Sequence, residues 1–372
     1  MKLHLFYPEN DLALAIGKAN YTPPPKVMDL RRAGALLPLW YGDPGDKVCA
    51  NGVNAAWFDS MAERFDLHTD VFDHIYHSGM QPAPWGWSEA SASLLRQQGV
   101  PAEVLPDSER LEQIRMLSHR RTAAVVHDLV AAQLPFAIAP AAVECMAVEA
   151  LPALLASGRG FMAKLPWSSS GRGLLDSRKC SADHFVRQAS GMIHSQGSFM
   201  LEQAYDRVVD FAMLFDCEDS GCHFRGYSLF STTASGQYSG NQLLPDAEIE
   251  HRLARYIPAD RLKEVAVALE AALRQVCGNV YRGPIGVDML VADTPRGYLL
   301  DATVEINFRM TMGRVARVLS DRFVAPGLEA TFDVRPGAVP ADSAAVENHR
   351  FAGGVLPLSP PGSRFAFVMQ SL

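Results

Sequence analysis

The chain opens on LHLFY (3–7), a short apolar run stopped by Pro8, and continues into DLALAIGKAN, which has helical or loop character. Runs of this kind begin α/β domains. Up to about residue 115, further strand candidates (DKVCA, HTDVF, AEVLP) alternate with helical patterns such as EASASLLRQQG, and this predicts a parallel sheet covered by helices. YTPPPK and MQPAPWGW read as loops. From about Ser118 to Ser157 the chain is Ala-rich and favours helix, with an interruption at QLPFAIAP. Strand patterns follow in SFMLEQAY, VVDFAMLFDC and HFRGYSLF, with a turn at EDSG and a flexible STTASGQYSGNQ. The helix ADRLKEVAVALEAALRQVCG then leads into YRGPIGVDMLVADTPRGYLLDATVEINFRM, a hairpin turning at DTPRG. Beyond about residue 331 the chain is rich in Pro, Gly and Ala and carries one more strand candidate, RFAFVMQ. No internal repeat or low-complexity run is evident.

The most informative alternation lies in LLDATVEINFRM (299–310), where Asp301, Thr303, Glu305, Asn307 and Arg309 occupy every second place. Leu300, Ala302, Val304, Ile306 and Phe308 lie between them. Such a strand buries its apolar set and gathers its polar set on the other face. One wet strand face would look the same, but Glu305 and Asn307 also place two oxygen donors where they can converge on a hard cation. Mg²⁺ takes few protein ligands and completes its shell with phosphate oxygens, so a nucleotide site is expected elsewhere in the chain. Asp288 interrupts the apolar strand GPIGVDMLV across the predicted hairpin and can join the pair.

A chain of 372 residues, 48% hydrophobic and 20% charged, has room for two or three domains. Its net charge of −7 disfavours a broad basic surface, and with it a nucleic-acid partner. Six scattered cysteines without CxxC spacing, and an N-terminus that becomes polar at Glu9, Asn10 and Asp11, point to a cytoplasmic protein with reduced thiols. Cys217 and Cys222 flank EDSG and read as an incidental pair. No apolar run is long enough to span a membrane.

FMAKLPWSSSGRG places Lys164 at a strand end before Ser168, Ser169, Ser170, Gly171 and Gly173. Backbone N–H groups and hydroxyls of such a loop can cover phosphate oxygens, although the same composition makes surface turns. The P-loop order is absent, because the lysine precedes the glycines. In FMLEQAYDRVVDF, Glu202 can accept from an adenine amino group and Asp210 from ribose hydroxyls, or either can be a solvated strand end.

Taken in order, these motifs resemble the ATP-grasp superfamily of ATP-dependent ligases over about Ser118 to Gly313. The resemblance implies an N-terminal α/β domain (1–115), a small lid subdomain (116–205) and a large subdomain with the metal site and the tail (206–372). ATP would be clamped between two sheets. It implies Lys164 on the α/β phosphates beneath the loop Ser168, Ser169, Ser170, Gly171 and Gly173. Glu202 with Gln203, Ala204 and Tyr205 would hold adenine, and Asp210 the ribose. Asp288, Glu305 and Asn307 would bind Mg²⁺, with Mn²⁺ as a substitute, and Arg309 matches the arginine that some carboxylase-type members place beside the reacting carboxy-phosphate. Arg120 or Arg121 occupies the place of a second ATP-binding lysine, which is a departure from the pattern. Arg282 is added as a catalytic candidate that could reach the substrate carboxylate or the phosphates, or form a structural ion pair.

The activity implied is ligation of a small-molecule carboxylate to an amine, or less often a thiol, through an acyl phosphate. A kinase on the same scaffold and a non-catalytic nucleotide-binding protein are the alternatives. The loop after the first strand offers Glu9, Asn10 and Asp11 as substrate contacts, with Asn10 or Asp11 as a helix cap the competing role. Neither nucleic acid nor membrane is expected as a partner, and a homodimer fits the general habit of soluble enzymes.

Overall fold

The computed structural model describes residues 1–168, 171, 173–233 and 238–372. Among them the chain forms three sheets and a two-stranded ribbon. The class is mixed α/β, as the alternation predicts.

The first sheet is parallel, with β1 (Lys2–Leu5), β2 (Lys47–Val48), β3 (Asp70–Val71) and β4 (Gln81–Pro84) in the order β3-β2-β1-β4. Its edge strand β4 comes from a stretch that reads as a loop, and its prolines explain both facts. Gln81 and Trp85 donate their N–H groups to Met1 and Leu5, so Pro82 and Pro84 fall on the outward positions where no donor is required. AEVLP, expected as a strand, instead makes a single turn of 3₁₀ helix at Ala102–Val104 between Pro101 and Pro106.

The second sheet is antiparallel and small: β5 (Val143–Cys145), β6 (Phe161–Lys164), β7 (Leu174–Asp176) and β8 (Phe199–Gln203), in the order β5-β8-β6-β7. Helix Ala182–Gln196 covers it through Phe185, Ala189 and Met192.

The third sheet is built from β9 (Asp206–Glu218), β10 (Gly221–Thr232), β11 (Tyr238–Leu243), β12 (Gly283–Thr294), β13 (Gly297–Asn307) and β14 (Ala330–Pro336). After the ribbon of β15 (Ala345–Glu347) and β16 (Arg350–Gly353), β17 (Val355–Pro357) and β18 (Phe365–Ser371) complete it, in the order β13-β12-β9-β10-β11-β14-β18-β17. One face is sealed by helix Ala259–Cys277, whose Leu262, Val265, Leu269 and Leu273 pack with Phe211, Met213 and Phe215. The Pro/Gly-rich tail thus supplies three strands of the large sheet where only RFAFVMQ reads as one. Its Phe367 and Met369 share a core with Phe6, Trp40 and Trp85 of the N-terminal region.

Cys217 and Cys222 face each other across the β9–β10 hairpin and are joined as a disulfide, with buried Cys277 nearby. For those two the expectation of reduced thiols is corrected, while Cys49, Cys145, Cys180 and Cys277 are free. Among the described residues no helix is long and apolar enough to cross a membrane.

Candidate active site

The β12–β13 hairpin sets the centre of the site. Asp288 pairs directly with Glu305, and Gly286 with Asn307. Directly paired side chains stand about 5 Å apart at Cβ, so the carboxylates of Asp288 and Glu305 share one small volume. Past Asp288 the register slips, and Leu290 faces Asp301. Four positions of β13 then stand against two of β12, an even excess that keeps Asp301 on the face of Glu305. Leu300, Ala302, Ile306 and Phe308 enter the core as the alternation predicts. Asp301 and Thr303 are buried as well, so neither faces open solvent.

Burial, and then the charge of Glu305, raise the Asp288 carboxyl to about 7. Burial, and then Glu202, raise Asp301 to about 6, against the opposing pull of Lys164. The first shift marks two acids forced together, a situation a cation relieves. Two carboxylates and an amide oxygen make the all-oxygen set that suits Mg²⁺, so the donors fit the expected ion. Each donor also has a protein partner. Arg120 Nη1 is 2.9 Å from Glu305 Oε2, Arg309 Nη2 donates to Asn307 Oδ1 at 2.7 Å, and Asn307 Nδ2 donates to Asp288 at 3.2 Å. A bound cation therefore competes with two guanidinium groups.

Arg120 also donates to Ser168 Oγ at 3.2 Å, tying Glu305 to the Ser/Gly loop, and its Nε has no partner. Arg121 points away, with its nearest acid, Glu144, at 3.9 Å. The geometry thus brings Arg120 to the cluster and leaves Arg121 outside it.

Across the cleft, β6 and β8 hold Lys164 against Glu202. The ammonium is 3% exposed and 2.5 Å from the carboxylate. A cavity of about 510 Å³ lies beside this pair, lined by Met162, Leu175, Glu202, Gln203, Tyr205 and, from the large sheet, Leu290. Ala204 commits its N–H to the Gly160 carbonyl. Asp210 accepts from Arg207 at 3.2 Å and Thr232 at 3.1 Å. Gly173 has φ of +65°, and a Cβ there would lie 2.5 Å from the Leu165 side chain. The close approach of loop to strand therefore requires glycine. Gly171 borders a second cavity, while Ser169 and Ser170 lie outside the described residues.

The N-terminal region closes the site. Helix Asn10–Ile16 has no side-chain cap; Asp11 instead receives Arg309 Nε at 2.9 Å and Nη2 at 2.7 Å. Asn10 is buried with Oδ1 unpartnered, and Glu9 is paired with Arg31. Gly86 makes the approach feasible, since a Cβ there would lie 2.5 Å from Asn10 Nδ2 and 3.0 Å from Arg309 Cβ. Arg282 is the candidate the fold sends elsewhere: it donates to Asp219 at 2.8 Å and to the Gly278 and Tyr281 carbonyls. It lies just before β12, six residues ahead of Asp288, and its partners give it a structural role. Gly86, Met162 and Leu290 escaped sequence reasoning, as did the partner of Asp11. Asp11 is itself a candidate contact, whereas the other three carry no chemical signal.

No family model matches the chain, and no curated protein matches it. Among solved structures it resembles biotin carboxylase from Campylobacter jejuni, in its β-γ-ATP complex, at 12% identity and a TM-score of 0.48, covering 100% of this chain and 87% of that one. It also resembles N5-carboxyaminoimidazole synthetase from Staphylococcus aureus, complexed with ADP (9%, TM-score 0.46, 91% and 83% covered). A third is a D-cycloserine synthetase (13%, TM-score 0.44, 87% and 99%). With all three TM-scores below 0.5, the reaction has to be read from this chain's own side chains.

Proposed function

We propose that this chain is an ATP- and Mg²⁺-dependent ligase of the ATP-grasp type, joining a carboxylate to an amine through an acyl phosphate. The observation that carries this reading is the convergence of Asp288, Glu305, Asn307, Arg120 and Arg309 on the face of the large sheet, beside the nucleotide-sized cavity that Glu202 borders. In this reading residues 116–205 and 206–372 hold the nucleotide from opposite sides, and residues 1–115 close the acceptor end.

The base would lie between Met162 and Leu290, with Glu202, Gln203, Ala204 and Tyr205 as its surroundings and Asp210 at the ribose. Lys164, Arg120, Ser168 and the loop through Gly173 would meet the phosphates. Asp288, Glu305 and Asn307 would hold Mg²⁺, which when bound neutralises phosphate charge. In the first step a carboxylate oxygen bonds to the γ-phosphorus while the bond to the β,γ-bridging oxygen breaks, its electron pair leaving with ADP. In the second the amine nitrogen bonds to the acyl carbon, the carbon–oxygen bond to phosphate breaks, and the nitrogen releases one proton to the departing phosphate or to solvent. No protein nucleophile takes part. The side chains position the reactants and offset moving negative charge, Lys164 at the nucleotide and Arg309 at the acyl end, while the Ser/Gly loop excludes water.

ADP release with Mg-ATP and a panel of carboxylic acids and amines, singly and in pairs, tests the reading. Release that needs both partners and disappears in Glu305→Gln supports it. Release with one acceptor alone favours a kinase, and ATP binding without release under any pairing favours a non-catalytic nucleotide-binding protein.

A further inference from the structure

Beside the metal-type donors, a cavity of about 290 Å³ runs along the same face of the large sheet. Its floor follows from the register. Asp288 of β12 faces Ala212 of β9, which faces Ser228 of β10. One pair along, Leu290 faces Asp210, then Phe230, then Asn241 of β11. Neighbouring strands are about 4.8 Å apart, so the floor spans roughly 14 Å across the three steps from β12 to β11.

Its chemistry changes along that length. Asp288, Glu305, Asn307 and Arg309 occupy one end. The middle is apolar, with Trp85, Leu30, Phe230, Met312, Val334 and Phe365 around it, most of them only half-buried. The far end is a neutral hydrogen-bonded chain. Tyr238 donates to Asn241 Oδ1 at 2.5 Å, and Asn241 Nδ2 donates to Ser228 Oγ at 2.7 Å and to the Leu229 carbonyl at 3.3 Å. Ser228 accepts in this chain, so its own proton is left to donate, and Asn241 Oδ1 retains a second lone pair. Helix Met312–Phe323 starts over this end because residue 313 is glycine; a Cβ there would lie 2.5 Å from Ser228 Oγ. Among the described lining residues Arg309 is the only cation, and Asp11 and Asn307 already engage it.

We infer that this cavity holds the carboxylate substrate, and that the substrate is an elongated acid with an aryl or branched apolar body and a neutral hydrogen-bonding group, such as a primary amide or hydroxyl, at its far end. This rests on the ligase reading, which places the reacting carboxylate at Arg309. A phosphorylated substituent would find no counter-charge along the body of the cavity, and an ammonium there would be desolvated without a partner. An amide at the far end can meet both the Ser228 proton and the Asn241 oxygen.

Calorimetric titrations in the presence of Mg²⁺ and a non-hydrolysable ATP analogue test it with three acids: phenylpropanoate, its para-carboxamide derivative and O-phosphoserine. The carboxamide is expected to bind about tenfold tighter than the parent acid, and phosphoserine not to bind. Asn241→Leu should remove the tenfold preference, and Ser228→Ala, the milder change, should reduce it; affinity for the ATP analogue reports that each variant is folded. Equal affinities for the two aryl acids, tighter binding of phosphoserine, or a preference that survives both substitutions overturns the inference. If the analogue binds and none of the acids does, the inference fails and the ligase reading stands. If the analogue does not bind with Mg²⁺, the ligase reading itself fails.

Discussion

Asp11 and Arg309, 298 residues apart in the chain, form the contact through which helix Asn10–Ile16 grips the segment just beyond β13. The guanidinium reaches both carboxylate oxygens through three contacts of 2.7 to 3.1 Å, and the two side chains are 14% and 15% exposed. A fully exposed pair of this kind contributes about 0–1 kcal/mol, whereas stripping the partner from a fully buried charge costs about 3–5 kcal/mol. With only about one-seventh of each side chain in solvent, Asp11→Ala and Arg309→Met should each cost about 2–3 kcal/mol. Each leaves a mostly enclosed charge behind, and the double variant leaves neither. Its cost should therefore fall below the sum of the singles by about 2 kcal/mol. Urea denaturation followed by tryptophan fluorescence measures all four proteins, and the buried Trp85, whose carbonyl accepts from Met310 N–H at 2.7 Å, lies beside this contact. Costs that add to within about 0.5 kcal/mol would show the pair to be uncoupled and would remove the clasp.

Four further outcomes are expected. Asp288 is held up to about 7, so below that pH it carries a proton that a bound cation must displace. Mg²⁺-dependent nucleotide binding should weaken about tenfold per pH unit on the acid side, and Asp288→Asn should flatten the profile. The same shift makes the charged carboxyl a burden on the fold, so Asp288→Asn should raise the melting temperature above neutral pH and matter little in acid; equal effects at both would contradict the assignment. Arg120→Gln should lower kcat/KM by about 10²-fold and Arg121→Gln by far less, since only the former touches Glu305 and Ser168; steady-state kinetics with equal losses would contradict the placement. Lys164→Met leaves Glu202 and Asp301 without their cation and should cost about 3–5 kcal/mol in urea, part of which Glu202→Gln restores in the double variant; additive losses would refute the pairing.

What was legible in the sequence was local. Alternation in β13 and the DTPRG turn bring Asp288 to the face of Glu305, but counting back from the turn sets it opposite Thr303; the slip that pairs it with Glu305 has no signal in the local pattern. The core face of helix Ala259–Cys277 follows from its period in the same way. Arg282 stands just before β12 and Asp288 lies within it, but no local pattern says which part of that stretch meets the cleft. The Asp11–Arg309 and Arg120–Glu305 contacts join distant segments and have no counterpart in any spacing. Pro82 and Pro84 concealed an edge strand whose donors alternate around them. The tail concealed its strands because their partners are one another and β11, so their apolar faces acquire meaning only in the assembled sheet.

The central claim is the acyl phosphate, and heavy-oxygen labelling of the carboxylate tests it most directly. With the active substrate pair and Mg-ATP, mass spectrometry of the inorganic phosphate should find one labelled oxygen carried over from the carboxylate for each ADP formed. ADP formed with wholly unlabelled phosphate would mean that the carboxylate never bonded to phosphorus, and would contradict the ligase mechanism.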